Sequence, residues 1–144
     1  MRVQSICLAA IMGLGAMACD TTYSMTGTWR QTGELRDSLT GDSHVHFGTY
    51  NLGQTGDSFT GVGQQSGVCT GTHGSYTGPL SDNVPFPVTE GHIVGSTVSF
   101  KTNVCSFTGS FEDGNSNRIS GTGTCSYALN GTTYHFAGQW QADR

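Results

Sequence analysis

The chain carries little charge, and most of the charge that it has is negative. Asp, Glu, Lys and Arg make up 11% of its 144 residues, the formal net charge is −4, and Lys101 is its one lysine. A surface that binds nucleic acid or anionic lipid needs clustered Lys and Arg, and the sequence contains no such cluster. We therefore expect no nucleic-acid partner, and membrane contact only through a lipid anchor.

The sequence motifs of common catalytic sites are also missing. There is no G-x-S-x-G sequence that would form a nucleophile elbow, and there is no glycine-rich phosphate loop. Carboxylates are sparse, and most of the aspartates lie in turn-like segments, where Asp serves local hydrogen bonding. No pair of groups suited to general acid/base catalysis is evident. The sequence predicts a protein that is not an enzyme and that has no cofactor.

Proline is scarce, with 3 residues, whereas glycine accounts for 22. After residue 18, no window carries apolar residues at the helical spacing i, i+3, i+4, i+7, and glycine recurs at short intervals. Apolar and polar residues alternate with period two instead, which is typical of strands that are buried on one face. We therefore expect an all-β domain of short strands and tight turns.

The first eighteen residues have the features of a secretory signal peptide. Arg2 supplies the positive charge, and the apolar run that ends at Met17 is too short to anchor the chain across a bilayer. Cleavage after Ala18 would leave Cys19 at the new N-terminus. A cysteine at this place resembles the lipobox of bacterial lipoproteins, in which the thiol is acylated. The alternative is plain secretion, with Cys19 an ordinary thiol.

Two turns predict one common register in the C-terminal half. Asn130-Gly131 is a strong hairpin signal, because a type I′ turn needs positive φ at both central residues. The segment 113–117 predicts a second turn. Placed independently, the two turns assign the same alternate residues to one face of the sheet. The pairs that they predict are Phe111–Ile119, Cys105–Cys125, Cys125–Phe136 and Gly121–Trp140.

Eight strands are expected, and the sheet is expected to close. Gly27-Thr28-Trp29 near the start mirrors Gly138-Gln139-Trp140 at the end, which favours pairing of the first and last strands in an antiparallel up-and-down β-barrel. The segment from Gly78 to Gly91, which holds all three prolines, is expected to be a loop. The predicted strands are 25–33, 43–52, 57–66, 68–77, 92–102, 104–112, 118–128 and 132–142. The side chains expected inside are Trp29, Phe59, Phe100, Phe107, Phe111, Tyr127, Phe136 and Trp140.

The opening Gly-x-Trp, the eight predicted strands and the final Arg144 resemble the calycin barrels, lipocalins and avidins together. In lipocalins an arginine from the end of the chain packs over the first-strand tryptophan, so the resemblance implies that Arg144 lies over Trp29. The frame from GTW to W-x-A-x-R also resembles uncharacterised small bacterial envelope lipoproteins. The segments similar to successive avidin strands are TGTW at 26–29, FTG at 59–61, VCTG at 68–71, VGSTVSF at 94–100, SFTGSF at 106–111 and NRI at 117–119.

The resemblance does not extend to biotin binding. The positions that bind and wall the ligand in avidins are occupied here by Gln31, Gly63, Phe100, Gly123 and Trp140. A biotin site built from these residues would lack its walls. The resemblance therefore implies the architecture and leaves the ligand open.

Three cysteines fall within the predicted barrel, and outside the cytoplasm thiols tend to pair. The predicted register makes Cys105 and Cys125 direct cross-strand neighbours, within reach of a disulfide. A bond from Cys69 to one of these two is the alternative. The Cys-x-x-Cys clustering of metal sites is missing.

The histidines offer a candidate metal site. His44-x-His46 places two imidazoles on one strand face, and His73 shares the parity that predicts an inward side chain. Pairing of the second and third strands around Gln54-Thr55 would put these histidines inside and would send Val45, Phe47 and Val62 outward, whereas a bulge would reverse the faces. That register pairs Tyr50 with Phe59 and His46 with Gly63.

The domain order that follows is a signal peptide at 1–18, a lipidated tether at 19–24 and a β-barrel at 25–144, in the bacterial cell envelope (periplasmic or cell surface) or secreted. We expect a non-enzymatic module that binds a small ligand or an envelope protein. The alternatives are a metal- or haem-binding barrel that uses His44, His46 and His73, and a purely structural envelope lipoprotein. The candidate ligand-binding residues are Trp29, Gln31, Tyr50, Phe59, Phe100, Phe107 and Trp140.

Overall fold

Eight antiparallel strands form a closed barrel in chain order. A computed structural model describes the backbone of residues 22–70, 78–129 and 131–144, with all of their side chains except those of 68–70, 78–84, 127 and 129. The strands are β1 Gly27–Asp37, β2 Ser43–Thr55, β3 Ser58–Thr70, β4 Gly78–Val94, β5 Thr97–Lys101, β6 Cys105–Glu112, β7 Asn115–Leu129 and β8 Thr132–Asp143. In the part of the chain described, no helix is long and apolar enough to cross a membrane.

The predicted all-β, eight-stranded antiparallel barrel is confirmed, and it fits a calycin-like barrel. Strands β1 and β8 pair from Arg30↔Asp143 to Asp37↔Phe136, so the sheet closes on itself. The side chain of Tyr127, the expected signal peptide, Cys19 and His73 lie outside the described part of the chain. The other side chains expected inside are all buried: Trp29, Phe59, Phe100, Phe107, Phe111, Phe136 and Trp140.

The register predicted for the C-terminal half is confirmed, including the pairs Cys105↔Cys125 and Gly121↔Trp140. Glycine is required where these strands approach closely. A Cβ atom at Gly121 would lie 2.1 Å from the carbonyl oxygen of Thr108, so any other residue would force the strands apart. Strand β7 begins at Asn115, earlier than expected, because a register shift after Phe111 absorbs the extra residues.

The expectation of a loop at 78–91 is wrong, and residues 68–70 belong to β3 and not to a separate fourth strand. Residues 71–77 of the expected fourth strand lie outside the described part of the chain. Residues 78–91 belong to β4, which pairs along β3. The register between these strands shifts at Gly63/Gln65, and Pro85 falls in that shift, where the ladder does not need the N–H that proline lacks. Pro79 and Pro87, in contrast, keep partners on β3, so the segment is a strand although it holds all three prolines.

The single strand expected at 92–102 is also wrong. Strand β4 ends at Val94, Gly95 adopts φ +60°, and β5 begins at Thr97. The positive φ of Gly95 permits a tight turn between two strands. The alternation of apolar and polar residues alone predicts one continuous strand there. The chain still forms eight strands, but the fourth and fifth lie elsewhere along it.

Strands β2 and β3 pair four residues away from the predicted register. Tyr50 lies opposite Gly63, and His46 lies opposite Gly67. The turn is centred on Gly56-Asp57, and Gly56 adopts φ +59°. Because the shift is an even number of residues, each side chain stays on its predicted face of the sheet.

The closed end of the barrel, where β1 begins and β8 ends, is filled by aromatic packing. Tyr23 stacks on Phe111 at 4.4 Å between ring centroids, and the indole N–H of Trp29 donates to the carbonyl of Met25 at 2.8 Å. The guanidinium of Arg144 lies 4.9 Å from the centroid of the Trp29 ring. This contact confirms what the calycin resemblance implied for Arg144.

The opposite end is the mouth of the barrel, where β1 ends and β8 begins. The predicted disulfide is confirmed there, because Cys105 and Cys125 are bonded and join β6 to β7 across 20 residues of sequence. The alternative, a bond from Cys69 to one of these two, is therefore wrong. The cross-link stiffens one wall of the mouth.

Candidate functional site

The mouth contains a cavity of about 320 Å³, near the lower end of the volumes typical of ligand pockets. Its walls come from strands β1, β2, β3, β4, β6 and β7 and from the turn between β5 and β6. None of the lining residues described is Asp, Glu, Lys or Arg. The residues that shape it most are Leu35, His44, His46, Phe86, Phe107 and the Cys105–Cys125 disulfide. The cavity is therefore mostly apolar and uncharged.

The floor of the cavity is a cluster of packed aromatic rings. Phe107 lines the cavity and stacks on Phe100 at 5.0 Å, and Phe100 meets Trp140 edge-on at 5.5 Å. The indole N–H of Trp140 donates to the carbonyl of Thr122 at 3.0 Å, which fixes the ring. This cluster separates the mouth from the closed end.

Both histidines of the His44-x-His46 segment line the cavity, because alternate residues of β2 face the interior. The His44 ring stacks on Phe136 at 4.6 Å. The His46 ring lies over Gly33, where a Cβ atom would come within 2.7 Å of His46 Nε2. Glycine at this position therefore makes room for the imidazole.

Burial lowers the pKa of both imidazoles. It lowers the pKa of His46 to about 4, with the neighbouring His44 adding to the shift. Burial also lowers the pKa of His44, and the carboxylate of Asp42 partly opposes this. Both rings are therefore uncharged near neutral pH, and the cavity presents neutral hydrogen-bonding groups.

Three polar side chains inside the barrel have atoms with no hydrogen-bond partner among the described residues. They are both amide atoms of Gln31, the hydroxyl of Tyr50 and Nε2 of His46. Gln31 pairs with Gly48, which lies between His46 and Tyr50 on β2, so the three are neighbours in register. Buried polar atoms without partners are rare in folded proteins. Such atoms are typical of a site that binds a ligand or water.

The expected metal site stays a prediction. Among residues 22–70, 78–129 and 131–144, the structure shows no group of three His, Cys, Asp or Glu residues placed to hold a metal ion. His44 and His46 come together, whereas His73 falls outside these residues.

Of the seven candidate ligand-binding residues, Phe107 lines the cavity and the other six lie in the packed interior. Sequence reasoning missed Leu35, Phe86 and Val104, which line the cavity. Leu35 continues the alternation of the first strand beyond its predicted end, so that signal was available. Phe86 lay in the segment expected to be a loop, and Val104 lies in a turn.

Three apolar side chains face outward from the barrel wall, as expected. Val45, Phe47 and Val62 are each about half exposed. Phe47 lies opposite Ser66 and Val62 lies opposite Asn51, so the two are separated along β3. They do not form one continuous apolar patch.

No protein-family model and no curated protein sequence matches the chain. Among solved structures, it is similar to the S-type phycobiliprotein lyase CPES from Guillardia theta, with 8% sequence identity and a TM-score of 0.46. The match covers 83% of this chain and 88% of the lyase. A similarity at this level says nothing about what this chain binds.

Proposed function

We propose that the protein is a non-enzymatic binding module of the bacterial cell envelope that holds a small, largely apolar ligand in the mouth of its barrel. The observation that carries this proposal is the cavity of about 320 Å³, with Leu35, Phe86 and Phe107 in its walls. Small-molecule sites are concave and mostly apolar, with a few polar groups that orient the ligand. The mouth has this character, because its few polar groups include the buried His46 and the half-buried His44.

We further propose a relationship to avidins and lipocalins within the calycin-like barrels. The contact between Arg144 and Trp29 supports it, because the two residues come from opposite ends of the chain. The guanidinium also donates to the carbonyl of Thr26 at 2.7 Å. The avidin-type ligand positions, in contrast, are filled by other residues, so the ligand of this barrel is expected to differ from biotin.

The ligand proposal is tested with the uncharged dye N-phenyl-1-naphthylamine, whose fluorescence rises in apolar surroundings. The Cys19→Ser protein cannot be acylated at residue 19, so it is the form to titrate. We expect saturable binding of one dye per protein. Asn103→Trp places a large ring at the mouth and is expected to weaken binding about tenfold.

The matched control for this titration is Ser96→Trp, in the exposed turn at the closed end. It adds the same ring far from the cavity and is expected to leave the affinity unchanged. Absence of saturable binding, or equal losses in both variants, would contradict the proposal and would favour a purely structural role.

A metal-binding barrel is the second candidate, and one observation favours it. His44 and His46 line the same cavity from one strand face. The remaining ligands would have to come from water or from His73. Elemental analysis of the purified protein separates the two candidates. Stoichiometric zinc or iron that is lost in the double variant His44→Ala, His46→Ala would favour metal binding over the binding of a small apolar ligand.

We also propose that Cys19 carries the lipid that anchors the barrel. Tyr23 stacks on Phe111 and Met25 is buried, so the chain enters the barrel at the closed end. The four residue-to-residue steps from Cys19 to Tyr23 span about 14 Å at most. An anchor at Cys19 would therefore keep the closed end beside the membrane and leave the mouth facing away from it.

The anchoring proposal is tested by mass spectrometry of protein extracted from membranes. We expect two or three acyl chains on Cys19, and we expect the Cys19→Ser variant to leave the membrane fraction. A free Cys19 in soluble culture supernatant would mean plain secretion.

A further inference from the structure

We infer that an outer groove beside the mouth is a second ligand subsite, which takes the uncharged, hydroxyl-bearing head of an amphiphile whose apolar part fills the mouth. This inference rests on the proposed binding function, and it specifies the class of the ligand. Three features carry it: two cavities that adjoin, hydroxyl groups along the outer one, and the absence of charged side chains from its described lining.

The outer groove is a cavity of about 360 Å³ on the outer face of strands β6, β7 and β8, at the mouth end of the barrel. It shares two lining residues, Val104 and Cys125, with the cavity of the mouth. Val104 lies in the turn between β5 and β6, and its side chain is half exposed. The two cavities therefore meet at the rim, and one ligand can occupy both.

The turns on either side of the groove are fixed by hydrogen bonds. The N–H of Ser126 donates to the carbonyl of Val104 at 2.9 Å, which ties the β5–β6 turn to β7. The N–H of Ser38 donates to the carbonyl of His135 at 3.4 Å, and the carboxylate of Asp37 accepts the N–H of His135 at 3.2 Å. These two bonds tie the β1–β2 turn to β8. Because the groove is preformed, a head group that binds there requires little ordering of the protein.

Hydroxyl groups line the outer groove. Ser106 and Thr124 lie opposite each other on β6 and β7, and Ser38 and Ser126 add two more hydroxyls. A hydroxyl both donates and accepts hydrogen bonds, and so does each hydroxyl of a sugar or polyol. The groove can therefore pair with such a head. The net gain is expected to be that of about one hydrogen bond, because the exposed hydroxyls exchange bonds with water for bonds with the ligand.

The next pair of hydroxyls along the same strands lies outside the groove. Thr108 and Thr122 are opposite each other on the same outer face and are exposed, but they do not line the cavity. The chemistry of the wall is thus similar inside and outside the groove. The concave shape and the junction with the mouth distinguish the subsite from the rest of the wall.

The described lining of the groove contains no Asp, Glu, Lys or Arg. Two cations lie on β5 and β1, the strands that flank it, and each has its own carboxylate. Lys101 pairs with Glu90 at 2.7 Å, and Arg36 pairs with Glu34. A charged head would lose hydration in the groove without gaining a free counter-charge there. The formal net charge of −4 opposes an anionic head further.

The two cavities together select an amphiphile. The mouth offers apolar walls that include Leu35, Phe86 and Phe107, and burial of an apolar chain or ring against them drives binding. The polar head must keep hydrogen bonds, and the groove at the rim supplies them. The ligand class that follows is a nonionic amphiphile with a hydroxyl-rich head, such as an alkyl glycoside.

The test compares 1-octanol, octyl β-D-glucoside, octyl sulfate and octyltrimethylammonium, which share one chain and differ in the head. Each is titrated calorimetrically into the Cys19→Ser protein, at concentrations below micelle formation. Displacement of bound N-phenyl-1-naphthylamine reports that the chain enters the mouth. We expect octyl glucoside to bind about tenfold more tightly than 1-octanol, as one net hydrogen bond predicts. Both charged probes are expected to bind more weakly than octyl glucoside.

The double variant Ser106→Ala, Thr124→Val removes the two opposed hydroxyls of the groove. It is expected to bind octyl glucoside no more tightly than 1-octanol, while its affinity for 1-octanol is maintained. The matched control is Thr108→Val, Thr122→Val, which removes the next hydroxyl pair along the same strands and should keep the preference of the unmodified barrel. Thermal unfolding followed by circular dichroism shows whether each variant is folded.

The outcomes separate this inference from the proposed function. Saturable dye binding together with equal affinities for 1-octanol and octyl glucoside would overturn the subsite and leave the binding function standing. Tightest binding of a charged probe would overturn the uncharged head, and an equal loss of preference in both double variants would overturn its place in the groove. Octyl glucoside that binds without displacing the dye would overturn the junction of the two cavities. Absence of saturable binding by the dye and by all four probes would overturn the proposed function as well. If the groove variant does not fold, the four affinities of the unmodified barrel decide the question.

Discussion

Replacing Trp29 by alanine is expected to lower the free energy of unfolding by about 4 kcal/mol, the range for a large buried aromatic side chain. Trp29 is fully buried at the closed end of the barrel. Its ring meets Phe111 edge-on at 6.1 Å, and its N–H donates to the carbonyl of Met25 at 2.8 Å. The alanine variant would lose this packing and leave that carbonyl without its donor. Urea unfolding followed by circular dichroism measures the difference.

Two further variants divide the contribution of Trp29 into its parts. Trp29→Phe keeps most of the packing and removes the N–H, so a loss of about 1–2 kcal/mol is expected. Arg144→Ala removes the cation above the ring and is expected to cost about 1 kcal/mol. Arg118→Ala is the matched control, since Arg118 makes an exposed ion pair with Glu112 and an exposed hydrogen bond to Gln141 and should have a smaller effect.

A loss below about 1 kcal/mol in Trp29→Ala would contradict the packing described at the closed end. A double-mutant cycle of Trp29→Ala with Arg144→Ala tests their contact directly, because alanine removes the aromatic face and only neighbours that interact give a non-additive result.

The C-terminal half of the barrel could be predicted from the sequence because its turns are local signals. The Asn130-Gly131 signal predicts the pairing found between β7 and β8, and the second predicted turn gives the pairing found between β6 and β7. Period-two alternation then decides which residues face inward. The disulfide Cys105–Cys125 followed from the same register. Where turn and alternation agree, the local sequence is sufficient.

Strand β4 could not be predicted because its signals conflict. Three prolines argue against a strand, and the pairing of β4 with β3 is shifted at two places. A strand tolerates a proline where no hydrogen bond to a neighbouring strand uses the N–H of that position. Long-range pairing decides which positions these are. The turn at Gly95 was hidden for a related reason, since one glycine within an alternating segment fits a strand or a turn equally well.

The sequence could predict which side chains of the candidate site face inward, but not how far along the barrel axis each of them lies. Alternation places Phe59, Phe100 and Phe107 inside, and all three are inside. Only Phe107 reaches the cavity, because the position of a residue along the barrel axis depends on strand tilt and stagger. These are properties of the closed barrel as a whole. His46 was placed correctly on its face even though its pairing partner was wrong.

Acidification from pH 6.5 to pH 4 is expected to destabilise the fold by about 3 kcal/mol through His46. Burial lowers the pKa of His46 from the ordinary 6.5 to about 4 in the folded barrel. Within that window the unfolded chain binds a proton at this position and the folded barrel does not, so the free energy of unfolding falls as the pH falls. The difference of about 2.5 pH units corresponds to about 3 kcal/mol. His44, whose pKa burial also lowers, adds to the loss in the same direction.

Urea unfolding measured at half-unit steps from pH 7.5 to pH 4 checks this expectation. Glutamine cannot take up the proton, so the free energy of unfolding of His46→Gln should depend less steeply on pH across the window. The difference in slope should correspond to about one proton. His92→Gln removes an exposed histidine and should keep the full slope. Asp37 acts at lower pH: hydrogen bonds from the backbone of Thr40, Leu39 and His135 lower its pKa, and their contribution is lost only below the ordinary value of 3.8. His46→Gln could instead retain the slope of the unmodified barrel between pH 6.5 and 4. In that case His46 would be protonated in the folded barrel within this window, and the description of its Nε2 as a neutral nitrogen without a partner would be wrong.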